Sequence, residues 1–178
     1  MKLTWFGGTT IRIHIGGQIL VADPDGAPAG VDRGELVSGA DRSFSLADQS
    51  GLAPIDAAEW RPRVLARAID DAAAEPVLLH RLSSAGVLVD APGEPPLVLL
   101  TLGEPPRLGR WADRAVVVLF DAGAEMAATA DALLTSERPR LIALAADEGA
   151  VNRALSLLRD RVGTTAVISL EPGLALEV

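Results

Sequence analysis

The sequence has no cysteine, which excludes a disulfide framework and any thiolate metal site. Aromatic residues make up only 3% of its 178 positions. Surfaces that stack on single-stranded bases need exposed aromatics, so that scarcity argues against them and leaves aliphatic side chains to fill the core. No lysine or arginine cluster interrupts a formal net charge of −8, which repels phosphate backbones and anionic membranes alike. Neither nucleic acid nor membrane is an expected partner. Long apolar runs are missing too. Ala115 to Phe120 is of strand length, far short of a bilayer span, and Met1-Lys2-Leu3-Thr4-Trp5 lacks the apolar stretch of a signal peptide. These absences point to a soluble cytoplasmic protein. Histidine is nearly absent as well, with only His14 and His80.

What is present is ordinary for a globular chain: 49% hydrophobic and 22% charged residues. The length suits one well-buried core, and no linker, repeat or low-complexity segment divides it, so residues 1–178 read as one domain. Ile11, Ile13 and Ile15 alternate with Arg12 and His14, the period of a half-buried strand. Gly16-Gly17 supplies a two-residue hairpin turn, and Gln18 to Ala22 is the return strand, ending at Asp23-Pro24. From Asp25 to about Asp56 the composition predicts a long loop region holding a short helix, with one strand-like piece near Glu35 to Ser38.

Short apolar runs follow at Arg63 to Ile69, Val77 to Leu82, Gly86 to Asp90 and Leu97 to Leu102, punctuated by Pro76, Pro92-Gly93 and Pro95-Pro96. The first of these equally fits the start of a helix running to Ala74. Ala115 to Phe120 and Leu141 to Ala145 are wholly apolar, as buried strands are. Glu125 to Thr135 has helical spacing. Asp147 is placed to cap a helix whose inner face is Val151, Ala154, Leu155, Leu158 and Val162. Ala166 to Leu170 and Leu174 to Val178 read as closing strands around Glu171-Pro172-Gly173. The chain starts as a β meander and ends in alternating strand and helix, an α/β pattern.

The opening Leu3-Thr4-Trp5-Phe6-Gly7-Gly8, the Ile11–Ile15 strand and Gly16 to Pro24 resemble the start of the metallo-β-lactamase superfamily. The nearest echo is its branch of small cytoplasmic metal-dependent hydrolases similar to ascorbate-phosphate lactonase, which begins Trp-Leu-Gly-His and ends a strand at Ile-Asp-Pro. Leu170-Glu171-Pro172-Gly173 followed by Leu176-Glu177-Val178 resembles that branch's final hairpin. The resemblance implies a four-layer αβ/βα sandwich, shortened here. It also implies a Thr-His-x-His-x-Asp-His loop just after a strand, where imidazoles and a carboxylate hold metal ions that activate water.

The stretch matched to that loop is Val37 to Phe44. There Gly39, Asp41 and Phe44 stand where the resemblance implies histidines, and Ser43 stands for the aspartate. Gly8 replaces the histidine of the opening motif. Leu102 replaces the aspartate that bridges the metals, and the last histidine falls near Ala145 or Ala146. Two histidines, both in strand-like segments, cannot rebuild such a site. The reading is therefore of a degenerate metal site, with no catalytic residue, metal or cofactor assigned.

Other chemistry is weighed against simpler roles. Asp23, Asp25 and Asp41 would form a weak carboxylate site for magnesium or calcium if they converged, whereas an Asp before Pro is also an ordinary turn residue. Asp147-Glu148 fits a helix start better than an acid–base pair. Neither His14 nor His80 is flanked by nucleophile geometry such as Gly-x-Ser-x-Gly. The Gly7-Gly8 and Gly16-Gly17 pairs are turn glycines, since no helix with a lysine follows either. Trp5, Trp60 and Trp111 read as buried, with an interface anchor as the alternative for the last two. Three functions stay open: a non-catalytic binding or interaction module, with a homo-oligomer or another protein as partner and no ligand named; a hydrolase of a small ester, lactone or phosphoester with an atypical site; and a structural subunit supporting an active partner.

Overall fold

The computed structural model describes residues 1–63, 75–83, 86–101, 103–120 and 125–178. Among these, the chain forms two β-sheets and a few helices, an α/β arrangement. The first sheet is five-stranded in the order β12-β1-β2-β3-β4. It comprises β1 (Lys2–Gly7), β2 (Thr10–Ile15), β3 (Gln18–Ala22), β4 (Arg42–Phe44) and β12 (Ala175–Glu177). The second is seven-stranded in the order β11-β10-β9-β8-β7-β6-β5. Its members are β5 (Ala53–Pro54), β6 (Leu78–Ser83), β7 (Gly86–Asp90), β8 (Leu97–Leu100), β9 (Val116–Phe120), β10 (Leu141–Ala145) and β11 (Ala166–Ser169).

Alternation along the strands builds the layers. Leu3, Trp5, Ile11, Ile13 and Leu20 of the first sheet join Val87, Val89, Leu97, Leu99, Val116 and Val118 of the second in one buried cluster, so the sheets pack face to face. The intervening residues Leu88, Val98, Val117, Ile142 and Leu144 turn to the other face of the second sheet. There they meet α2 (Glu125–Ser136) and α3 (Glu148–Leu158) through Met126, Ala130, Leu133, Ala154 and Leu158. Each fully buried Val, Leu, Ile or Met side chain in these clusters contributes about 1.5–3 kcal/mol. β8 to β11 run parallel, and α2 and α3 are the crossovers of β9-α2-β10-α3-β11.

Several expectations stand as read. Gly16 and Gly17 turn between β2 and β3 with φ of 56° and 76°, conformations that glycine adopts without strain. Asp147 caps α3, its Oδ1 accepting from the Ala150 amide at 2.9 Å. The strand-like piece near Glu35 to Ser38 is instead the end of a helix, α1 (Arg33–Val37). Its start is set by Asp32, whose carboxylate accepts from the Glu35 amide at 2.8 Å, a capping bond that outweighs the local strand-like pattern. The loop region also contains β4 and β5, too short to show a period. The Arg63 to Ile69 run lies, beyond Arg63, outside the described residues, as does Leu102. Among the described residues no helix is long and apolar enough to cross a membrane.

Candidate functional site

Four of the residues singled out by the sequence, Asp23, Asp25, Ser43 and Phe44, lie at the end of the first sheet where β3 and β4 finish. A cavity of about 390 Å³ opens there, lined by Thr9, Asp23, Asp25, Ser43, Phe44 and Ser45 among others. β3 and β4 are parallel, pairing Val21 with Ser43 and Ala22 with Phe44, so both chains leave the sheet at this cavity. Asp23 takes a left-handed conformation, φ 44° and ψ 54°, which a short polar residue tolerates better than most. Its amide donates to the Phe44 carbonyl at 2.8 Å, and its own carbonyl accepts from Thr10 Oγ1 at 2.8 Å.

The Asp23 carboxylate is already engaged. Its Oδ1 accepts from Ser45 Oγ at 2.7 Å and from the Leu46 amide at 3.1 Å. Asp25, one residue past Pro24, forms an exposed ion pair with Arg33. Asp41 is elsewhere. It precedes β4 rather than following it, and its Oδ2 accepts from the Ile19 amide at 2.7 Å. The whole of β4 separates Asp41 from Asp23, roughly 10 Å at the usual strand rise. The three aspartates therefore do not converge, which corrects the carboxylate-site expectation. Among the described residues no three His, Cys, Asp or Glu side chains are grouped to hold a metal ion.

The positions matched to the ligand loop divide in the same way. Ser43 and Phe44 line the cavity. Gly39, φ 68°, lies in the turn between α1 and β4. Gly8, φ 53°, lies in the β1–β2 turn, where its carbonyl accepts from Trp5 Nε1 at 3.0 Å. Val37 to Phe44 is thus not one loop after a strand. It is the end of a helix, a turn and then β4, and the loop after the strand begins at Ser45. Register was the missing information: the alternation that reveals a strand needs more than the three residues β4 offers.

A second cavity of about 710 Å³ lies at the hairpin end, lined by residues that include Lys2, His14, Gln18, Ile19, Glu94 and Glu177. Lys2 stands between His14 on β2 and Glu177 on β12 in the strand register. The His14 pKa is lowered, first by burial and then by the charges of Arg12 and Lys2, so the neutral imidazole is favoured. His80 on β6 is lowered as well, chiefly by burial; Asp90 opposes that shift and Arg63 adds to it. Its Nδ1 is buried, with no hydrogen-bond partner among the described residues.

Two polar clusters were not singled out in the sequence. Arg63 binds the buried Asp90 through both its carboxylate and its carbonyl, and also donates to the Pro76 carbonyl at 2.9 Å. Arg12 reaches from β2 to the end of α1, donating to the carbonyls of Leu36 and of Ser38, the latter at 2.8 Å. Each pair is distant in sequence, and a lone Arg or Asp carries no signal of its partner. Trp111 is buried and donates Nε1 to the Ala57 carbonyl at 2.7 Å, with Trp60 edge-on to it at 4.8 Å between ring centroids. They anchor each other. No protein-family model and no curated protein matches the chain.

Proposed function

We propose that the chain is a non-catalytic member of the metallo-β-lactamase superfamily, acting in the cytoplasm as a binding or interaction module. On this reading it is a shortened four-layer αβ/βα sandwich, with the five-residue α1 as the remnant of the outermost layer on the first sheet. One observation carries it. At the sheet end where the resemblance implies metal ligands, the Asp23 carboxylate holds the next loop through Ser45 and Leu46. That loop, residues 45–52, contains no histidine, so its hydrogen bonds serve the turn and offer no water-activating donor set.

Asp25 lines the cavity and among the described residues pairs only with the exposed Arg33, which favours a second reading, a metal-dependent hydrolase with an atypical site. Metal content after dialysis against zinc, manganese and magnesium separates the two. The non-catalytic reading expects far less than one retained equivalent of any of them. Retention near one equivalent, lost in Asp23→Asn, would overturn it and turn attention to hydrolysis of a small ester, lactone or phosphoester.

A further inference from the structure

Among the described residues the two sheets have four edge strands: β4 and β12 on the first, β5 and β11 on the second. Three are guarded as edge strands usually are. β4 has three residues beginning with Arg42 and is tied back by Asp41. β5 has two, one of them Pro54, which has no N–H to offer. β12 has three and ends on an exposed Glu177. β11 is different. It is the longest, at four residues, and no charge or proline occurs from Val162 to Leu170.

Hydrogen bonds to β10 define which way its backbone points. The amides of Ala166 and Leu170 donate to Arg140 and Leu144 at 3.1 and 2.8 Å. Alternation along the strand then turns the N–H and C=O of Val167 and Ser169 outward, where among the described residues no strand pairs with them. Val167 is half-buried against the helix-side core and Ile168 against the core between the sheets, so both layers run up to this edge.

We propose that β11 pairs antiparallel with β11 of a second copy about a two-fold axis through Ile168. In that register Val167 of each copy faces Ser169 of the other, and the outward amides and carbonyls satisfy one another in four hydrogen bonds. Ile168 meets its counterpart and continues the core between the sheets across the axis. The occupant is argued to be a second copy because the segment is self-complementary about Ile168. It is also locally neutral in a chain of net charge −8, so copies that repel elsewhere meet here without opposing charges. A four-residue edge is small beside the roughly 800 Å² per partner of a stable dimer, so association is concentration-dependent. The inference gives the interaction module proposed above a partner, but it rests on backbone geometry and not on the fate of the metal site.

Sedimentation velocity from low micromolar to millimolar protein tests it, on the wild type and on two edge variants. Val167→Pro removes an outward N–H while keeping the bonds that the Ala166 and Leu170 amides make to β10, and Ser169→Lys places a charge on the edge. The wild type is expected to dimerise reversibly. Each variant should raise the dissociation constant roughly tenfold or more, because a two-fold interface loses the contact twice. Melting in dilute solution checks that the variants fold; if Val167→Pro does not, Ser169→Lys decides. A wild type that stays monomeric at every concentration overturns the proposal and leaves the edge to a strand from another protein. So does a dimer that both variants leave intact. Neither result bears on metal retention, so the two proposals fail separately.

Discussion

In the seven-stranded sheet, β7 to β10 are buried at every position, whereas β1 and β2 of the five-stranded sheet bury alternate residues and leave Lys2, Arg12 and His14 toward solvent. The difference follows from what covers each outer face. α2 and α3 lie on the seven-stranded sheet, and among the described residues only the five residues of α1 lie on the five-stranded one. A sheet covered on both faces has no room for an unpaired charge; one covered on a single face can use charged side chains to hold what little lies on it. Arg63–Asp90 and Arg12–α1 are the two cases in point. The former is an ion pair at the end of a buried strand, with the Asp90 side chain 4% exposed. The latter is a guanidinium spanning the last carbonyls of a short helix at the surface.

That contrast is open to direct test. Arg63→Ala leaves a buried carboxylate without its partner and should lower stability by about 3–5 kcal/mol, read from denaturant midpoints. A loss within the scatter of surface substitutions would mean that water already reaches Asp90 and that this sheet end is not closed. Arg12→Ala removes charge-assisted bonds that solvent partly replaces, so about 1–2 kcal/mol is expected, with loss of helical signal confined to α1. Were it to cost as much as Arg63→Ala, the thinly covered sheet would depend on its surface clamp as heavily as the other depends on its buried pair.

The smallest effect is in pH. Both histidines have folded-state pKa values below the ordinary histidine value of 6.5, so around and below that pH the unfolded chain binds more protons than the folded one. Stability should fall as pH drops from neutral through 6.5 toward the folded values, and level off below them. Melting temperatures of His14→Gln and His80→Gln over that range apportion the slope between the two sheets. A slope unchanged in both variants would assign the effect to other groups.

Much of the fold was legible in the residues. The wholly apolar runs at Val116–Phe120 and Leu141–Ala145, the alternation at Ile11, Ile13 and Ile15, and the Asp147 cap each write their structure in a local pattern. β4 and β5, at three and two residues, carry no period, and α1 depends on a cap that a strand-like composition masks. The candidate site suffered from the same gap. Asp23, Ser43 and Phe44 do share a cavity, but Asp41 falls at the wrong end of β4, and the Ser45 partner of Asp23 was not foreseen.

Composition and periodicity alone determined that the chain folds around aliphatic cores, which segments are buried strands and where the late helices begin, because burial and capping act over a few neighbouring residues. Only the tertiary structure decided which aspartates meet, which arginine reaches which carbonyl, and which of four sheet edges is left unguarded. Those depend on strand register and on contacts between residues tens of positions apart, for which no single residue in the sequence carries a mark.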